Sequence, residues 1–169
     1  MRIKVSIIFV ALVTYWGYWL VHHNHKNTQS FAYNERGNIL SELRRYDEAI
    51  ENYQQAILIK VNYADAYNNL AKAQRQKGQL EESVANYKEA IRFNNDHADA
   101  YSNLGIVLSE QGKFEDAIEQ YRKALDLNPN LFQVHDHLAI LLSQQGNFAG
   151  AIFHYQQAIT LYPAFAKAH

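Results

Sequence analysis

From Ser30 onwards the chain repeats at an interval of 34 residues, four times in succession, without insertion or deletion. The units begin at Ser30, Ala64, Ala98 and Phe132. Their fourth place holds Tyr33, Tyr67, Tyr101 and His135, and their fifteenth holds Arg44, Gly78, Gly112 and Gly146. The twentieth holds Ala49, Ser83, Ala117 and Ala151. The twenty-fourth is Tyr53, Tyr87, Tyr121 and Tyr155, and the twenty-seventh is Ala56, Ala90, Ala124 and Ala158. A unit of this length cannot bury its apolar side alone and does so against the next copy. The period therefore implies stacked units with one continuous core rather than a globule around a central pocket. It points away from catalysis and towards a surface that holds another molecule.

Hydrophobic periodicity gives each unit two helices. In the second unit, helix A is expected over Ala64–Lys77 and helix B over Leu80–Phe93, with Tyr67, Leu70, Ala71 and Gln74 on one inner face and Leu80, Val84, Tyr87 and Ile91 on the other. Gln74 stands where later units have Leu108 and Leu142. Small residues mark close helix crossings: Gly37, Ala71, Gly105 and Ala139 on helix A, and Ala49, Ser83, Ala117 and Ala151 on helix B. Gly78, Gly112 and Gly146 end helix A, because glycine takes the left-handed conformation cheaply. Asp47-Glu48, Glu81-Glu82 and Glu115-Asp116 open helix B, where negative charge complements the helix dipole. Pro129 and Pro163 are expected to stop helix B. In the fourth unit Ala149-Gly150 replaces the acidic pair, so its helix B is expected to be the least stable.

These residues resemble the tetratricopeptide repeat, whose signature is an aromatic, Leu-Gly, a turn Gly, and then Ala, aromatic, Ala and Pro. The third unit carries it best, in Tyr101, Leu104, Gly105, Gly112, Phe114, Ala117, Tyr121, Ala124 and Pro129. The resemblance covers Ser30 to Phe165, with Ala166–His169 read as the start of a fifth unit. It implies an all-α fold, an α-solenoid in which helix pairs wind into a right-handed superhelix. It also implies protein–protein binding without catalysis. The domain reading is an apolar segment at 1–21, a polar tether at 22–29 and a repeat domain at 30–169, divided as 30–63, 64–97, 98–131 and 132–165.

The end units depart from the pattern. In the first, Arg36 replaces Leu, Arg44 replaces the turn Gly and Val61 replaces Pro. At the other end, a solenoid needs a polar cap over its last apolar face. Four residues cannot supply one, so Tyr155, Ile159 and Leu161 are expected to be partly exposed. Either the native chain is longer, or this face meets a partner or a second copy.

Val5 to Val21 is apolar except for Ser6, Thr14 and Gly17. As a helix it would rise roughly 25 Å, just short of a hydrocarbon core. Arg2 and Lys4 can snorkel on one side, and Tyr15, Trp16, Tyr18 and Trp19 form an aromatic belt on the other. A retained signal anchor is the reading; a cleaved signal peptide and a buried core helix are the alternatives. Tyr15-Trp16-Gly17 lacks the small residues cleavage needs, and the segment has no polar face. Arg2, Lys4 and the amino terminus outweigh Lys26, which puts the N-terminus in the cytoplasm and the repeats on the periplasmic or lumenal side.

Stacked A helices of such a superhelix line its concave face. The residues expected there are Asn34 and Asn38, then Asn68, Asn69, Lys72 and Arg75, then Ser102, Asn103 and Ile106, and last Asp136, His137 and Ile140. The lining is rich in amides and hydroxyls. Asn69 and Asn103 stand one repeat apart, similar to the asparagine ladder in the repeats of O-linked N-acetylglucosamine transferase. That resemblance implies amides that hydrogen-bond a bound peptide's backbone, each able to donate and accept. Glu35 and His137 interrupt the ladder on either side; asparagine there for helix packing or solvation is the alternative. The carboxylate clamp of co-chaperones needs basic residues on the first and third A helices. This chain has Asn34, Asn38, Asp99 and Asn103 there, so binding of acidic chaperone tails is not expected.

Other features exclude function classes. Lys and Arg number 16 against 17 Asp and Glu, a formal charge of −1, which does not suit a phosphate backbone, so no nucleic-acid partner is expected. With no cysteine there are no disulfides, Cys-based zinc sites or thiol chemistry. His22, His23 and His25 read as a polar tether rather than a metal site, since flexible histidines lack an orienting shell. His135 takes the aromatic packing place and reads as core. No nucleophile elbow, phosphate loop or metal-ligand spacing appears, so no enzyme, cofactor or metal is expected. The sequence reading is a membrane-anchored protein-binding scaffold or assembly factor that holds a peptide in its groove, with self-association through the uncapped end as a further partner. The alternative is the N-terminal substrate-docking region of a larger enzyme such as a glycosyltransferase.

Overall fold

The computed structural model describes residues 25–163, which form helices joined by short turns. They are α1, residues 25–42; α2, Tyr46–Ile59; α3, Ala64–Gln76; α4, Leu80–Phe93; α5, Ala98–Glu110; α6, Phe114–Leu127; α7, Phe132–Gln144; and α8, Phe148–Leu161. The fold is all-α, and helices A and B of the second unit fall within one residue of their sequence-based bounds. Residues 25–29, expected as tether, are exposed and continue α1 as helix; His25-Lys26-Asn27-Thr28-Gln29 contains neither Gly nor Pro to stop it. Among the described residues no helix is long and apolar enough to cross a membrane. The apolar segment 5–21 lies outside the described residues, as does the beginning of a fifth unit at 166–169.

The chain divides into two compact units at Tyr63/Ala64. In the first, α2 lies on α1: Ser30 Oγ donates to the Ala56 carbonyl at 3.0 Å, and Tyr53 OH donates to Asn38 Oδ1 at 3.0 Å. Leu40, Ala49, Tyr53 and Ala56 are buried. In the second unit, α3 pairs with α4, α5 with α6 and α7 with α8, while α4 packs on α5 and α6 on α7. Its core runs through Tyr87, Leu104, Val107, Tyr121, Val134 and Leu138 without a break. Ser83, in the place of an alanine, is fully buried and satisfies its hydroxyl on the Ala71 carbonyl at 2.7 Å. Gln74 is buried too, and accepts from Asn86 Nδ2 at 2.8 Å.

Two small residues of helix A, Gly37 and Gly105, face the tyrosine of the same repeat's helix B. A Cβ at Gly105 would lie 2.6 Å from Tyr121 Cε1, and one at Gly37 would lie 2.5 Å from Tyr53 Cε1. Helix A ends alike in all four repeats. Gly78 N donates to the Arg75 carbonyl at 2.9 Å and Gln79 N to that of Gln74 at 3.0 Å. The same pair of bonds recurs at Gly112/Lys113, Gly146/Asn147 and Arg44/Arg45. This is the left-handed C-terminal cap that satisfies the last carbonyls. Arg44 enters it at φ 58°, beside glycines at 72–77°.

Helix B stops before proline where one occurs, and stops at the same place where none does. α6 and α8 end two residues before Pro129 and Pro163, but α2 and α4 end at the equivalent Ile59 and Phe93, with Val61 and Asn95 in the proline place. The turn is set instead by an extended C-cap residue, and in two repeats by its side chain. Asn94 Oδ1 accepts from Asp96 N at 3.2 Å, and Asn128 Oδ1 from Asn130 N at 3.1 Å. The start of α8 also differs from expectation. It lacks the acidic pair, yet Asn147 caps it through a bond from Gly150 N at 3.1 Å, whereas Arg45, Gln79 and Lys113 give α2, α4 and α6 no side-chain cap. Such a cap contributes about 1 kcal/mol, which offsets the lost dipole complement.

Candidate functional site

The A helices of the second unit bring polar residues from successive repeats together. Asn68 is buried near the middle of α3; its Nδ2 lies 3.4 Å from Asn69 Oδ1, and its Oδ1 accepts from Asn103 Nδ2 of α5 at 3.2 Å. Two turns on, Arg75 meets Glu110 from the end of α5, with Nε 3.0 Å from each carboxylate oxygen. Both contacts span 35 residues, one repeat plus one residue. The ladder residues Asn69 and Asn103 are half-buried, and it is Asn68, outside the ladder, that takes the cross-repeat bond.

On α7, His137 occupies the ladder place. Its ring lies against that of Tyr121 at 5.7 Å, and its Nδ1 is buried without a hydrogen-bond partner. Burial lowers its pKa, the Arg75 charge acts in the same direction, and Asp136 opposes them. Arg75 is itself raised, first by its hydrogen bond to Glu110. Burial raises the phenols of Tyr87 and Tyr121, and both feel the Arg75–Glu110 charges. The ion pair, the two tyrosines and His137 therefore form one electrostatic neighbourhood. A neutralised guanidinium, several amides and an imidazole in a partly shielded setting can exchange hydrogen bonds with a polar backbone. They supply no activated nucleophile.

The remaining sequence-derived residues are distributed unevenly. Lys72 and Ile140 are exposed, Ser102 and Asp136 are half-buried, and Ile106 rests against the core. In the first unit Asn34 is buried, 3% exposed, rather than open to a groove. Its Nδ2 lies 3.3 Å from Glu35 Oε1, which also accepts from Asn38 Nδ2 at 3.1 Å. Burial raises the Tyr53 phenol, donor to Asn38, to about 12. Asn34 and Asn38 thus belong to a local network of α1 and α2. His135 is core, as expected, but with a partner the sequence did not indicate: its Nδ1 is 2.9 Å from His154 Nδ1, and its Nε2 is 3.0 Å from the Pro129 carbonyl. Among the described residues no group of three or more His, Cys, Asp or Glu is placed to hold a metal.

Two sets of cross-repeat partners were not visible in the sequence, one single and one recurring. The tie of Arg75 to Glu110 follows from the 35-residue offset between them. The first-turn acids of helix B hold the next repeat as well as the dipole. Glu81 Oε1 accepts from Gln111 Nε2 at 3.4 Å, and Glu115 Oε1 accepts from Gln145 Nε2 at 3.1 Å, both 30 residues on.

Family models described as TPR repeat match residues 37–76 and 72–112, and models described as tetratricopeptide repeat match 98–131 and 132–165. The last two coincide with the third and fourth units. The chain belongs to the tetratricopeptide-repeat family. No curated protein matches the sequence. Among solved structures, a crystal structure of MamA is similar with a TM-score of 0.75 and 23% identity, over 89% of this chain and 87% of that one. Residues 41 to the end of MamA from Desulfovibrio magneticus RS-1 give 0.72 and 20%, over 83% and 80%. The first tetratricopeptide domain of Spaghetti (RPAP3), bound to the HSP90 peptide SRMEEVD, gives 0.69 and 23%, over 71% and 95%. At these identities the likeness establishes a shared fold. Tetratricopeptide repeats as a class mediate protein–protein contacts.

Proposed function

We propose that the chain is a non-catalytic, membrane-anchored scaffold that holds an extended peptide segment of a protein partner along the A-helix face. The observation that carries this reading is the succession Asn69, Asn103 and His137. They stand at one repeat place on α3, α5 and α7, and His137 keeps a buried Nδ1 without a partner. Each amide can donate to one peptide group and accept from another. An unsatisfied buried acceptor or donor costs roughly 1–3 kcal/mol, which a bound backbone would recover. Affinity from such contacts is tolerant of sequence. The acidic peptide SRMEEVD held by the Spaghetti domain is a poor guide to the ligand, because Glu110 already neutralises Arg75 here.

Photocrosslinking in native membranes tests this. A benzoylphenylalanine at His137 should yield peptide adducts identifiable by mass spectrometry, and the same group at Asp126, on the exposed side of α6, should not. Equal labelling from both positions, or adducts from neither, would remove the reading. Asn69→Ala with Asn103→Ala should weaken capture of those adducted partners and leave helicity unchanged.

Support for the anchor lies in the sequence: the apolar length of 5–21, broken only by Ser6, Thr14 and Gly17, its aromatic flank and the charge bias of Arg2 and Lys4. In this reading the N-terminus is cytoplasmic and the repeats face the outer side. The protein should stay in the membrane through an alkaline wash, and protease added outside the cell membrane should digest the repeats. Release of full-length protein by the wash would exclude a spanning helix.

A further inference from the structure

We infer that α8 is a self-association surface through which two copies pair by a twofold, antiparallel helix contact. Phe148, Ile152, Tyr155 and Ile159 follow one another at intervals of four, three and four residues, so they form one stripe along α8, and Tyr162 at its C-cap, one ring face stacked on Phe132 at 4.8 Å, extends it. All five are exposed, from 37% at Tyr155 to 64% at Phe148. In α6 the equivalent Ile118 and Tyr121 are 6% and 2% exposed, because α7 packs over them. Phe114, the equivalent of Phe148, is 40% exposed in α6, so the part of the α8 stripe that other repeats bury is Ile152 and Tyr155.

Three observations favour a second copy over another occupant. First, α8 carries no charged residue in its 14 positions, whereas α4 and α6 carry both signs throughout. A charge-free stripe opposes itself without repulsion, and it lacks the cations that an anionic lipid surface would select. Second, α8 is not built to receive a following repeat in the usual way. Glu81 and Glu115 each hold the next repeat's glutamine, and Ala149 stands in their place. Third, the exposed stripe on α1 does not suit it. Arg36 sits there between Ala32 and Ile39, where the later repeats bury Leu70, Leu104 and Leu138. Docking α1 of one copy on α8 of another would bury a guanidinium with no carboxylate on α8 to meet it, which is strongly unfavourable. An isologous contact between two α8 helices avoids this. Its axis passes near Tyr155, placing Ile152 opposite the second copy's Ile159, and Phe148 opposite Tyr162. One helix face is small beside the ~800 Å² per partner of a standard interface, so the dimer is weak and concentration-dependent.

The chain has no cysteine, so single-cysteine variants of the full-length protein report pairing directly. Under mild oxidation in membranes, Tyr155→Cys should form a disulfide-linked dimer, as should Ile152→Cys mixed with Ile159→Cys. Ile39→Cys should not. Adding Phe148→Asp to Tyr155→Cys should reduce the dimer at least tenfold, with circular dichroism unchanged. Absence of a Tyr155→Cys dimer would overturn the inference. So would a dimer insensitive to Phe148→Asp, or a preferred mixed dimer of Ile39→Cys with Tyr155→Cys, which would mean head-to-tail stacking.

Discussion

Arg75 of α3 and Glu110 of α5 meet across consecutive repeats, with the guanidinium Nε equidistant, at 3.0 Å, from both carboxylate oxygens. The pair links two A helices and neutralises the half-buried Arg75 cation on the proposed binding face. Its side chains retain 27% and 38% exposure, so solvent screening limits its contribution to about 0.5–1 kcal/mol. Glu110→Gln should therefore shift the urea midpoint only slightly. The larger effect should be on selectivity: a labelled acidic peptide such as SRMEEVD should bind roughly threefold or more tightly at low salt, with the gain lost at high salt. An unchanged affinity would mean that Arg75 does not face the ligand.

At the helix crossing, Gly105→Ala should destabilise the protein by about 1–2 kcal/mol. The added methyl must displace the Tyr121 ring, which it would approach to 2.6 Å, and overpacking of this kind outweighs the better helix propensity of alanine. Urea unfolding followed by circular dichroism measures it. A stabilised variant would show that the ring yields freely.

Arg44→Gly should act in the opposite direction. A non-glycine residue pays roughly 1–2 kcal/mol for the left-handed conformation, and Arg44 holds φ 58°. Part of that gain is offset by the greater freedom of glycine in the unfolded chain, so about 0.5–1 kcal/mol should remain. Thermal unfolding of the two proteins gives the comparison.

Acid should weaken the fold through histidine. Burial lowers the pKa of His137, and burial together with His135 and Arg122 lowers that of His154. A base whose folded pKa is depressed binds more protons when unfolded, so stability falls as pH drops below the ordinary histidine value of 6.5. The loss continues until the folded values are passed. His137→Asn, which restores the amide of the neighbouring rungs, should flatten the decline between pH 7.5 and 5. A slope identical to that of the parent would place the titrating groups elsewhere.

The number of repeats, the helix bounds of the second unit and the tyrosine–alanine seam were legible in the sequence, because burial along a stacked core imposes the same residue types at the same interval. Gly78, Gly112 and Gly146 announced their turns for a similar reason: few residues take a positive φ without strain. What the sequence could not give was pairing between polar groups. Asn68 rather than Asn69 bonds Asn103, Arg75 finds Glu110, and Glu81 and Glu115 reach the next repeat's glutamines. Each of these depends on how far one helix slides along its neighbour, a quantity set by side-chain packing across the whole seam. α2 and α4 end without a proline because an extended C-cap residue ends the helix whether or not proline follows. Burial of Asn34 and exposure of the α8 stripe were likewise decided by tertiary neighbours, since an amide or an isoleucine carries no mark of whether another helix lies over it.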